Sequence, residues 1–121
     1  MEGEIVSGPG EGERFENDRR IALIKAALPD VTVLEFTIES DAYEGPDPHT
    51  HADHTDSFYV LEGELDVFVE GETVRVGPGT FVAAPPGVSH GFKVPAGSGR
   101  VRFLNIHAPG GFEYDMRRMN S

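Results

Sequence analysis

Short apolar runs alternating with polar residues dominate the chain. The clearest is Thr32-Val33-Leu34-Glu35-Phe36-Thr37-Ile38-Glu39. A period of two places Val33, Glu35 and Thr37 on one face of a strand and Leu34, Phe36 and Ile38 on the other, so the second set is expected to be buried. Glu35 is then expected to be solvated. Similar strand-sized runs bounded by Gly or Pro extend from Ser57 to Val69, Thr73 to Val76, Thr80 to Ala84, His90 to Val94 and Arg100 to His107. Arg20 to Ala26 is too short and too poorly capped for a helix and reads as an early strand. It follows an N-terminal arm over residues 1–18 that contains the flexible loop Ser7 to Gly12, and a polar loop runs from Ser40 to Pro48. Glu70-Gly71-Glu72 supplies the glycine of a tight hairpin, and Gly77-Pro78-Gly79 a turn that breaks the ladder. Many short strands at this spacing predict an all-β sandwich or barrel, with residues 1–121 as one domain.

The tail differs in kind. Phe112, Met116 and Met119 recur at helical spacing, with Glu113 and Asp115 early and Arg117 and Arg118 late, as the helix dipole favours. A short helix over residues 111–121 follows, packing its apolar side chains on the barrel or closing its mouth.

Composition narrows the function classes. The hydrophobic share of 38%, broken up by 15 Gly and 9 Pro, suits strands and turns better than helices. With no Cys, disulfides and thiolate ligands are excluded. The acidic start Met1-Glu2-Gly3-Glu4-Ile5-Val6 lacks the basic segment and apolar core of a signal peptide, and no run approaches transmembrane length, so a cytoplasmic location is expected. A balance of 21 acidic to 10 basic residues, net charge -11, repels phosphate backbones and anionic lipid. Nucleic acid and membrane are therefore not expected as partners, and a small molecule is.

The candidate chemistry is a dispersed set of metal ligands: His49, His51, Asp56 and His90. Two His one residue apart on an extended strand point to the same side, where both imidazoles can reach one ion. His90 follows a Pro85-Pro86-Gly87 turn. His54 lies between His51 and Asp56, either as a loop residue or as a substitute ligand. On the last strand, alternation groups Val101, Phe103, Asn105 and His107 on one face. A buried Asn is an unusual core choice, so that face is a candidate cavity wall, with Asn105 and His107 orienting a ligand. Phe58 and Phe92, which share faces with Asp56 and His90, join it, while Tyr59 and Phe81 read as barrel packing and Glu62 as a solvated turn residue.

These residues resemble the two motifs of the cupin superfamily, specifically a small single-domain, quercetinase-like cupin. The first motif, a Gly, His-x-His, a carboxylate and a second Gly, is similar to Gly45, His49-Thr50-His51, Asp56 and the stretch ending at Gly63. The second, a Gly, a Pro-x-Gly turn, a His and an Asn, resembles Gly79, Pro85, Gly87 and His90, with Val94 in the place of the Asn. Both lie within residues 45–94. The resemblance implies a double-stranded β-helix, or jelly-roll, barrel with a short C-terminal helix. It implies metal ligation by His49, His51, Asp56 and His90, and a divalent transition metal: Fe, Mn, Ni, Cu or Zn. Asp56, one methylene shorter than the usual Glu, reaches the ion after a strand shift or through water, and it is the candidate catalytic base. Val94 makes the wall beside the metal more apolar. Gly45 stands closer to His49 than the pattern asks.

Two functions follow from that resemblance. One is a metalloenzyme acting on an enolic or aromatic substrate, a dioxygenase or an isomerase. The other is a non-catalytic cupin that binds or stores a small molecule or metal. Family members commonly pair, so a homodimer is expected, with Arg20 to Ala27 as the exchanging element.

Overall fold

Nine strands fold into two antiparallel sheets that face one another across a common core. The computed structural model describes residues 5–39, 43, 45 and 48–120. The first four residues, most of the expected Ser40–Pro48 loop and the last residue of the expected helix lie outside them. The strands are β1 (Glu13–Glu16), β2 (Arg20–Leu28), β3 (Val31–Ile38), β4 (Thr55–Glu62), β5 (Leu65–Val69), β6 (Glu72–Val76), β7 (Phe81–Ala84), β8 (His90–Lys93) and β9 (Val101–Ala108). The chain closes with helix α1 (Phe112–Met119). One sheet runs β1-β2-β3-β9-β4-β7 and the other β6-β5-β8. This is the all-β, jelly-roll architecture that the strand pattern and motifs predict.

Several expectations need correction. The run from Ser57 to Val69 is not one strand, because Gly63 turns the chain from β4 in one sheet to β5 in the other. Gly63 has φ 78, and a Cβ there would stand 2.6 Å from the Arg100 carbonyl oxygen, so only glycine makes the turn without strain. The N-terminal arm contains a strand, β1, paired along its length with β2. β2 is bonded to β1 on one side and β3 on the other. Tyr59 and Phe81 pair across β4 and β7 but point outward, 37% and 55% exposed. Glu35 is not freely solvated; Arg102 holds it at 3.0 Å.

The interior is graded along the strands. On β9 the inward residues are Val101, Phe103, Asn105 and His107, all buried. Register places them opposite Ile38, Phe36, Leu34 and Thr32 of β3, and places Val60, Phe58 and Asp56 of β4 opposite Phe103, Asn105 and His107. On β3, β4 and β9 one end is therefore aliphatic and aromatic, and the other carries Asp56, Asn105, His107 and Thr32. The apolar end supplies the core, where Phe36 and Phe103 stack with centroids 5.2 Å apart.

Helix α1 docks at the polar end. Its first turn is fastened by Glu113, whose Oε1 accepts from the Thr32 hydroxyl at 2.6 Å and from the Gly111 amide at 3.1 Å. Thr32 Oγ1 in turn accepts a bond from the same amide. A buried carboxylate thereby satisfies the amide at the helix N-cap, which has no partner inside the helix.

Candidate metal centre

All five histidines of the sequence converge on the polar end of the barrel. His49 is brought in by an isolated antiparallel bridge to His90, with N···O distances of 2.8 Å in both directions. Residues opposite one another in such a bridge share a face, and His51, two positions on, shares it too. The His51 carbonyl accepts from the Gly87 amide at 2.8 Å, which ties the His-x-His segment to the Pro-x-Gly turn. Ring centroids of His49 lie 4.8 Å from His51 and 4.5 Å from His90. Gly45 is required beside this segment, since a Cβ there would collide with the Phe92 carbonyl oxygen.

Asp56 reaches this group from β4. Its Oδ2 lies 2.8 Å from His90 Nε2 and 3.4 Å from His51 Nε2. His90 Nδ1 donates to the Val88 carbonyl at 2.9 Å, so Nε2 is the nitrogen that faces the other candidate ligands. Ligand atoms of His49, His51, Asp56 and His90 all lie within 4.8 Å of one another, and this group can hold a metal ion. His51 Nε2 tests the fit, because it is buried with no hydrogen-bond partner. An imidazole nitrogen kept from water beside a carboxylate and two further imidazoles is a costly arrangement that a cation would satisfy. The donor set, imidazole nitrogen with one carboxylate oxygen, fits a divalent transition metal.

A hydrogen-bonded chain supports Asp56 from behind. Asn105 Nδ2 donates to Asp56 Oδ1 at 2.6 Å and to the Ser57 carbonyl at 3.1 Å. With its amide nitrogen so committed, Asn105 Oδ1 accepts from His107 Nε2 at 2.7 Å. His107 Nδ1 then accepts from His54 Nε2 at 2.9 Å. His54 stacks on His51 with centroids 4.1 Å apart and is not a solvated loop residue. His51, His54 and His107 form a second group of mutually close ligand atoms.

Burial and mutual contact shift these groups in different directions. Burial above all, helped by the neighbouring His54, His51 and His90, pushes His107 down to about 3 against the pull of Asp56. His107 is therefore a neutral imidazole, as the bond its Nδ1 accepts from His54 requires. His51 is lowered by burial and by His54. Burial pulls His90 down, but its bonds to Asp56 and Val88 outweigh that and hold it above the ordinary value. For Asp56 burial works upward, and the bonds from His90 and Asn105 with the nearby His107 overcome it, so the carboxyl stays below its usual range.

The cluster opens onto a cavity of about 550 Å³. Phe58, Phe92, Asn105 and His107 line it, with His49, His51 and Asp56, in the places the strand faces predict. Val94 and Phe103 do not. Both point inward, yet they lie deeper, in the apolar core behind the cavity. Sequence reasoning passed over Arg20, Phe36 and Tyr43 as cavity residues. The alternation of Arg20, Ala22 and Ile24 carried a signal for the first, and the buried face of β3 for the second. Phe112, Met116 and Met119 of α1 also line the cavity, so the helix forms part of its wall. Phe112 lies flat on His107, with centroids 3.7 Å apart and rings 6° from parallel.

Two antiparallel sheets enclosing a cluster of histidine and carboxylate ligands beside an aromatic cavity define a metal-capable β-barrel protein of the double-stranded β-helix class. Residues 34–107 match the model of the Cupin domain family, and the chain belongs to that family. It is 27% identical over 106 residues to quercetin 2,3-dioxygenase of Bacillus subtilis, covering 86% of this chain. The matched stretch spans 31% of that enzyme. Similar solved structures include an RmlC-like cupin from Shewanella frigidimarina, with TM-score 0.76 at 21% identity, covering 94% of this chain and 99% of that one. KdgF from Halomonas sp. superposes with TM-score 0.73 at 23% identity, covering 84% and 90%. Pac13, described as a nucleoside dehydratase, gives TM-score 0.69 at 18% identity, covering 95% and 88%. At these identities the solved structures show a shared fold.

Among the described residues, no helix is long and apolar enough to cross a membrane.

Proposed function

We propose that this chain is a metal-dependent cupin enzyme acting on a small enolic or aromatic substrate, with oxygenation as the reaction class. The observation that carries the reading is the buried, partnerless His51 Nε2 beside Asp56 and His90 at the head of an aromatic cavity. His49, His51 and His90 would hold the ion, with Asp56 as the carboxylate ligand. Bound there, a divalent metal supplies Lewis acidity toward a substrate oxygen and, where redox-active, a route to dioxygen.

The chain's own residues do the rest. Phe58 and Phe92 exclude water and offer flat apolar walls to an unsaturated ring. Asp56, ionised and aimed by Asn105, is the carboxylate placed to accept a substrate proton. Its lowered pKa suits an acidic enol better than an alcohol. The likeness to quercetin 2,3-dioxygenase supports this class of substrate.

The test begins with metal analysis of protein purified without a histidine tag, before and after reconstitution with Fe, Mn, Ni, Cu or Zn. Wild type is expected to hold about one ion per chain, and His51→Ala and His90→Ala to lose it. Equal emptiness of all three after reconstitution would overturn the metal reading. Anaerobic binding of a flavonol or diketone followed by oxygen uptake supports the oxygenase. Metal-loaded protein that binds such compounds without turnover is instead a binding or storage cupin.

A further inference from the structure

Arg20 stands at a register position where a charge is expensive. It opens β2 and shares its inward face with Ala22 and Ile24, both buried in the core, and its partner across the ladder is the fully buried Ile38. Arg20 is half-buried there, so its guanidinium gives up part of its hydration and gains most from a partner of opposite charge. Other inward or half-buried charges are compensated: Asp66 by Arg75 at 2.9 Å, Glu35 by Arg102 at 3.0 Å and Lys25 by the Gly8 and Glu11 carbonyls at 2.6 and 2.8 Å. Arg20 has no carboxylate partner among the described residues. Its guanidinium instead lies 5.5 Å from the centroid of the Phe36 ring, and both side chains line the cavity. Acids outnumber bases by 21 to 10, so the missing partner does not reflect a shortage of carboxylates. The remaining charged pair in the cavity wall, Asp115 and Arg118, is joined to itself at 2.6 Å.

Position adds direction. On β3, Thr32 pairs with His107 at the histidine end and Ile38 pairs with Arg20 at the other. At about 3.3 Å per residue those two rungs are roughly 20 Å apart along the strand. The cavity thus has a metal-capable pole, an aromatic middle formed by Phe36, Phe58 and Phe92, and a cationic pole.

We infer that Arg20 anchors a carboxylate at the end of the substrate remote from the histidine cluster. The substrate class is then an elongated organic monoacid with an aromatic or unsaturated body. A single planar guanidinium, with Arg118 already held by Asp115, matches one carboxylate better than a dianionic phosphate, and the net charge of -11 disfavours a more highly charged guest. The inference rests on reading this cavity as the substrate site.

Calorimetric titration of the full chain, metal-free and metal-loaded, with phenylalkanoates from phenylacetate to phenylhexanoate and their matched primary amides tests it. At one chain length or more the acid is expected to bind about tenfold tighter than its amide. Arg20→Gln should remove that preference, with circular dichroism and thermal unfolding reporting that the variant is folded. Arg20→Lys should retain part of it. Equal affinity at every length, no binding by any acid, or a preference surviving in Arg20→Gln would overturn the assignment. The two readings fail separately. An acid preference in protein that never takes up metal sinks the metal centre and keeps Arg20, whereas metal-loaded protein without the preference does the reverse.

Discussion

Asn105 donates to Asp56 Oδ1 at 2.6 Å and leaves Oδ2 turned toward His90 and His51. The amide thereby chooses which carboxylate oxygen faces the candidate ligands. Removing it frees the Asp56 carboxylate to rotate and strands a buried acceptor. Asn105→Ala is expected to weaken metal binding by about 10–100-fold with the fold retained. Competition against a chelator of known affinity, with circular dichroism alongside, reads this directly; unchanged affinity would show that Asp56 needs no such support.

Phe103 shares its strand face with Asn105 but belongs to the core, packed on Phe36 and Phe92. Phe103→Ala should cost about 3–5 kcal/mol of stability through lost burial and the space left behind. Metal content per folded chain should not change. Urea unfolding followed by metal analysis of the native fraction separates the two effects, and a loss of metal at full stability would place Phe103 in the site after all.

Glu113 couples the helix to the barrel, and its pKa gives that coupling a pH window. Burial raises it, but the Thr32 hydroxyl and the backbone donors outweigh burial, so the folded value lies below the ordinary 4.5. A depressed folded pKa contributes stability that is present in full above the unfolded value and disappears as pH falls through the folded one. The stability difference between wild type and Glu113→Gln should accordingly be constant near pH 7 and shrink below about pH 4.5. Thermal unfolding of both proteins across that range checks it; a difference that grows with acidity would refute the sign.

Strand faces were legible in the sequence, and depth along the barrel was not. Alternation assigned Phe103, Asn105 and His107 to one inward face, but period two says nothing about which rungs sit at the cavity and which in the core. That is why Phe103 and Val94 were expected in the wall. The break at Gly63 was hidden because an apolar run looks continuous until a positive φ is known. Tyr59 and Phe81 show the converse: an aromatic in a strand can point either way until its register is fixed by a neighbour. His49, His51, Asp56 and His90 could be grouped through motif spacing alone. His54 could not, since its contacts with His51 and His107 depend on how the loop after His51 folds back. Arg20 was read only as the start of a strand, because a charge at a strand end looks solvated until the opposite sheet is in place.

The walls of the cavity differ in how they are fastened. Those on β3, β4, β8 and β9 are locked by ladders on which the whole barrel depends. The wall made by α1 is held by side chains: Glu113 on Thr32, Arg117 on Glu13 of β1, Met116 in the core and the Phe112 ring on His107. Met119, exposed and lining the cavity, can therefore be exchanged without disturbing a candidate ligand or a strand, whereas Phe112 supports His107 and His51 and Met116 belongs to the core. The first turn of the tail is thus part of the histidine cluster's own support, and only its last turn leaves the rim of the chamber open to change.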